Sequence, residues 1–93
     1  MEEGDPRRKK SESTADEKFV LVLYNDDVNT FEHIIKSLIE VCGHDDMQAR
    51  QCAVIAHNKG SCQIKSGPKA TMEQMKIGLS SRGITAEVKR EKV

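Results

Sequence analysis

A short apolar run, Phe19 to Tyr24, breaks off into Asn25-Asp26-Asp27 and, one residue later, into Asn29-Thr30-Phe31-Glu32 at the head of a helical pattern. No other stretch constrains the fold as tightly. Within a strand placed at Lys18 to Tyr24, Phe19, Leu21 and Leu23 share one face, while Val20, Val22 and Tyr24 share the other. A strand apolar on both faces belongs in the middle of a sheet. It delivers Asn25, Asp26 and Asp27 to a fixed rim, and the helix that follows holds the rim still. Acceptors fixed in this way suit a cation, above all a protonated amine. The same three side chains also suit an ordinary turn between strand and helix, so turn chemistry alone leaves both readings open.

The remaining periodicities supply the other elements. Asn29 is expected to cap the first helix, with Glu32 three residues on in the reciprocal capping position. Phe31, Ile34, Ile35, Leu38, Ile39 and Cys42 then form one broad stripe that ends at Gly43. Asp45 and Gln48 frame a second helix, in which Ala49, Cys52, Ala53 and Ala56 make a small-residue stripe ahead of His57 and Gly60. Small side chains there let a neighbouring element come close. Cys62 and Ile64 alternate with polar residues in a second strand. Gly67-Pro68 opens a third helix bearing Met72, Met75 and Leu79, and Gly83 stops it. Ala86 and Val88 alternate in a last strand. The expected fold is α+β, a three-stranded antiparallel sheet covered by three helices in the order β-α-α-β-α-β.

Ninety-three residues provide one core and a shallow pocket rather than a deep cleft with many subsites. Residues 1–17, charged and without apolar periodicity, are expected to be a flexible tail, and 18–93 the core domain. The tail's Arg7-Arg8-Lys9-Lys10 cluster is surrounded by acidic residues that cancel its field. Fifteen Lys and Arg balance fifteen Asp and Glu over the chain, which removes the pull toward phosphate backbones or anionic membranes. With only Phe19, Tyr24 and Phe31 as rings besides histidine, no base-stacking platform can be assembled. Cys42, Cys52 and Cys62 form an odd set without a Cys-x-x-Cys pair or a secretory leader, so free thiols in a cytoplasmic protein are expected. Their spacing with His33, His44 and His57 matches no usual metal pattern, and no cofactor is expected. His57 beside an Asp, with Cys52 or Ser61 nearby, resembles part of a nucleophilic site. No Gly-rich nucleophile turn, oxyanion arrangement or phosphate loop accompanies it, so an enzyme is not expected.

Two segments resemble the ClpS family of small adaptors, which hand N-degron substrates to an AAA+ unfoldase and its Clp peptidase. The first is Val22-Leu23-Tyr24-Asn25-Asp26-Asp27-Val28-Asn29-Thr30-Phe31-Glu32-His33-Ile34-Ile35, and the second is Ala49-Arg50-Gln51-Cys52-Ala53-Val54-Ile55-Ala56-His57-Asn58-Lys59-Gly60. The resemblance extends over Phe19 to about Glu91. It implies that Asn25, Asp26, Asp27 and His57 hydrogen-bond the free α-amino group of a bound peptide. An ammonium offers three donors, and carboxylate, amide oxygen and neutral imidazole are acceptors. Without the resemblance, His57 reads as a cap that favours the C-terminal dipole of its helix.

The resemblance further implies an apolar pocket for the peptide's first side chain, walled by Leu23, Asn29, Phe31, Ile34, Ala53, Ala56 and Ala86. Phe31 stands where the family usually has Met, Ala53 where a second Met often forms a gate, and Ala56 and Ala86 replace larger aliphatic residues. One wall is bulkier and three are smaller, so the preference among Leu, Phe, Tyr and Trp is expected to be retuned. The implied partners are N-degron peptides and a Clp AAA+ unfoldase, ClpA-like or ClpC-like, with Lys69, Glu73 and Lys76 as substitutes for the family's docking charges. The ribosomal stalk protein's C-terminal domain has a similar order of elements. A stalk-like interaction module without amine recognition is therefore the alternative, and the Asn-Asp-Asp corner with its distant His argues against it.

Overall fold

A computed structural model describes residues 18–91. The tail expected at 1–17, with its basic cluster, lies outside the described residues. Six elements follow one another: β1 (Phe19–Tyr24), α1 (Phe31–Cys42), α2 (Asp46–Lys59), β2 (Ser61–Gly67), α3 (Lys69–Ser80) and β3 (Ala86–Arg90). The sheet order is β2-β1-β3, with both pairings antiparallel. The run with two apolar faces is therefore the central strand, because only there are both edges of the backbone paired. Leu21 and Leu23 are fully buried under the helices, and Val20 and Val22 are buried on the opposite face. Removing each such leucine from water stabilises the fold by about 1.5–3 kcal/mol.

The core lies between the inner face of the sheet and all three helices. Ile34, Ile35, Leu38 and Cys42 of α1 meet Ala49, Cys52, Ala53 and Ala56 of α2, while Met72 and Leu79 of α3 close the other flank. The alanines and Cys52 of α2 are small, which lets that helix sit close against α1 and β2. An extra residue on β2, Ile64, stands opposite the Leu21–Val22 step of β1 and turns its side chain into the core.

The capping of α2 follows the sequence: Asp45 accepts from the Gln48 amide at 2.7 Å, and the Gln48 side chain accepts from the Asp45 amide. The capping of α1 does not. Thr30, rather than Asn29, is its N-cap, with Oγ1 accepting from the His33 amide at 3.1 Å. Asn29 is withdrawn from that role because Asp26 and Gly83 claim its side chain. No helix among the described residues is long and apolar enough to cross a membrane.

Candidate functional site

The end of β1 is clamped from both sides. The Tyr24 amide donates to Thr85 O and the Asn25 amide to Gly60 O, each at 3.0 Å. Gly60 ends α2 with φ +94, a left-handed conformation that a side chain would strain, and this sharp stop is what turns its carbonyl toward Asn25. The last strand residue and the end of α2 are thereby fixed relative to each other. His57, in the last turn of α2, is carried to the same rim.

Asp26 folds the corner. Its Oδ1 accepts from the Val28 and Asn29 amides, both at 2.9 Å, and its Oδ2 accepts from Asn29 Nδ2 at 2.9 Å. Burial pushes the Asp26 carboxyl up, but the backbone and side-chain hydrogen bonds from Asn29 and the Val28 amide outweigh it. The group stays below the usual carboxylate range. Asn29 Nδ2 also donates to Gly83 O at 2.9 Å, and His33 Nε2 donates to Arg82 O at 2.9 Å, so the corner and the start of α1 are both anchored to the turn after α3. Arg82 is held in turn by Glu40 at 2.7 Å.

Within this frame lies a cavity of about 240 Å³, lined by Tyr24, Asn25, Asp26, Asp27, Asn29, Phe31, Ile34, Ala53, Ala56 and His57. Ala53 and Ala56, each 2% exposed, and Ile34 make its buried floor, while Phe31, 43% exposed, rises at the edge. Phe31 meets the His57 ring edge-on. Among the described residues, the side chains of Asn25, Asp27 and His57 enter no hydrogen bond or ion pair. Three acceptors of different kinds thus face one apolar-floored space, with the fourth, Asp26, already engaged. Such a site can take a group that is cationic at one end and apolar at the other. Its volume lies below the roughly 300–1,000 Å³ of sites for drug-sized ligands, which suits a single side chain.

Nine of the eleven residues named from the sequence therefore line one cavity. Leu23 and Ala86 do not; they pair across β1 and β3 and lie in the core beneath it. Tyr24 lines the cavity without having been singled out for it. Its position next to Asn25 was the available signal, obscured because a strand-end aromatic reads as packing. Among the described residues no cluster of three or more His, Cys, Asp or Glu side chains is suited to a metal ion.

The family model described as ATP-dependent Clp protease adaptor protein ClpS matches residues 14–87. Among solved structures, Agrobacterium tumefaciens ClpS2 bound to L-phenylalaninamide superimposes with a TM-score of 0.74 at 20% identity, covering 81% of this chain and 98% of that one. At that identity the likeness speaks for the fold. No curated protein sequence matches the chain.

Proposed function

The chain belongs to the ClpS family of Clp protease adaptors, and from that premise we propose that it binds the free N-terminal hydrophobic residue of N-degron substrates and delivers them to a Clp AAA+ unfoldase. One observation carries the reading: Asn25, Asp27 and His57, all uncommitted, ring the mouth of a cavity whose floor is Ala53, Ala56 and Ile34. The peptide's α-ammonium donates to the Asn25 amide oxygen, the Asp27 carboxylate and a ring nitrogen of neutral His57. Each charge-assisted bond contributes about 1.5–3 kcal/mol. The first side chain fills the apolar space below. Asp26 keeps the corner folded rather than spending its oxygens on the ligand.

The ligand in the Agrobacterium relative supports this assignment, since L-phenylalaninamide joins a free α-amine to an aromatic side chain. Family membership supports the delivery step. We place the unfoldase contact on α3, where Lys69, Glu73 and Lys76 offer charges of both signs. No nucleotide-binding loop is present in the sequence, so ATP hydrolysis belongs to the partner.

Fluorescence anisotropy with peptides beginning in Leu, Phe, Tyr or Trp, and with their N-acetylated copies, tests the amine site. Acetylation removes the cation and leaves the acceptors without donors, so affinity should fall at least about tenfold, or 1.4 kcal/mol. Equal affinity for free and acetylated peptides would sink the proposal.

A further inference from the structure

The chain also holds three free thiols, Cys42, Cys52 and Cys62, which the peptide site does not use. Two of them, Cys52 of α2 and Cys62 of β2, lie close enough to interact: burial first, and then the neighbouring Cys62, push the Cys52 thiol up. Both residues border a second cavity, about 190 Å³ in volume, together with His44, Gln48 and Ile64. Cys52 is 4% exposed, whereas Cys62 is half-buried and donates to Gln63 O at 3.4 Å. An oxidant arriving from solvent therefore reaches Cys62 first, and Cys52 is the buried thiol of the same cavity.

We propose that Cys52 and Cys62 are a modification site that closes to an intramolecular disulfide on oxidation by a hydroperoxide. A disulfide needs its sulfurs about 2.05 Å apart, an approach that side-chain rotation on a helix and a strand already packed together can supply. Cys62 loses its proton and its sulfur attacks one peroxide oxygen. The O–O bond breaks, hydroxide takes up the proton and leaves as water, and Cys62 becomes a sulfenic acid. Cys52 then loses its proton and attacks the Cys62 sulfur, and the S–O bond breaks to release a second water. Two thiols give up two electrons and two protons to one disulfide, and hydrogen peroxide is reduced to two waters. Cys42 is the competing thiol. It is 2% exposed and does not border this cavity, so it remains reduced.

The bridge would have a consequence for the neighbouring surface. The ten-residue step from Cys52 to Cys62 carries Ala53, Ala56 and His57 and turns at Gly60. Oxidation ties the C-terminal half of α2 to the sheet and restricts the unfolded chain, for which a loop of this length predicts a rise in Tm of roughly 10 °C.

The test uses the full chain with limiting hydrogen peroxide, followed by alkylation and peptide mass mapping without reduction. The expected result is a Cys52–Cys62 linked peptide in a monomer with Cys42 still alkylated, and a Tm increase reversed by dithiothreitol. Cys42→Ser should retain both the link and the shift, and Cys62→Ser should lose both. A sulfinic acid at Cys62 with Cys52 free, a link to Cys42, or a bond between two copies would each overturn the proposal. The wild-type map decides the matter even if a variant folds poorly, and it does not depend on peptide binding.

Discussion

The Phe31 ring meets the His57 imidazole edge-on, with centroids 5.3 Å apart and planes at 89°. The contact joins the first residue of α1 to the last turn of α2 and sets the imidazole's orientation at the cavity mouth. Arrangements of this kind contribute about 0.5–1.5 kcal/mol beyond buried area. Phe31 thereby does two things: it walls the apolar space, and it restrains the ring proposed to accept from the ammonium.

A division of labour among the polar groups follows. Asp27→Ala and His57→Ala should abolish measurable peptide binding and leave the far-ultraviolet circular dichroism unchanged, since neither side chain enters a hydrogen bond or ion pair and the edge contact of His57 with Phe31 is a small part of the helix packing. Both sit at the exposed rim. Unfolding of either variant would recast its residue as structural.

Asp26 should behave oppositely. Replacing it with Asn removes the carboxylate that gathers the Val28 amide and both donors of Asn29, and a loss of about 1–2 kcal/mol is expected, as for a helix cap. Because its native pKa is lowered, the stability it contributes is present above the ordinary carboxylate value and is lost as pH falls through the native one. The gap in urea midpoint between wild type and Asp26→Asn should therefore be full at pH 7 and shrink toward pH 3. A constant gap would mean that the charge itself contributes nothing.

Much of this was legible in the sequence. The periodicities of Phe19–Tyr24 and Phe31–Cys42, the Asp45 and Gln48 capping pair and the small-residue stripe of α2 depend on local spacing, and they led to the observed element order. The choice between Asn29 and Thr30 as cap did not, because two cap-capable residues stood side by side. A bond to Gly83, distant in sequence, decided between them. Asp26 and Asp27 are likewise equivalent on paper. Only the path of the backbone commits one to the corner and leaves the other free. Leu23 and Ala86 were out of reach for a similar reason: whether an inward-facing residue meets the cavity or the core beneath it depends on packing across the sheet.

Packing between α1 and α3 offers a test of the frame. A Cβ built on Gly78 of α3 lies 2.9 Å from Val41 Cγ1 of α1, closer than real contacts allow. Valine is stiff at χ1, so the strain cannot be relieved by a small rotation. Gly78→Ala should lose about 1–3 kcal/mol to overpacking against the roughly 1 kcal/mol gained in helix propensity. Adding Val41→Ala removes the clash and should recover part of the loss. Denaturant unfolding of both variants measures it, and a Gly78→Ala protein more stable than wild type would show that α1 and α3 are not tightly docked.

Substrate choice should depend on Ala53, which lies at the floor of the cavity with 2% exposure, below Phe31. Ala53→Met adds a long side chain to a space already walled by an aromatic ring. Because the buried floor of α2 is packed against the core, the new atoms have to project into the cavity. The site then takes less, and the largest first residue suffers most. Trp-initiated peptides should lose affinity by about 1–3 kcal/mol more than Leu-initiated ones, the usual cost of overpacking. Stability should change less than binding, since the cavity opens to solvent and the added chain can lean outward when no ligand is present. Anisotropy titrations of Leu, Phe, Tyr and Trp peptides against wild type and variant read the difference directly. An unchanged rank order would place the side-chain pocket somewhere other than over Ala53.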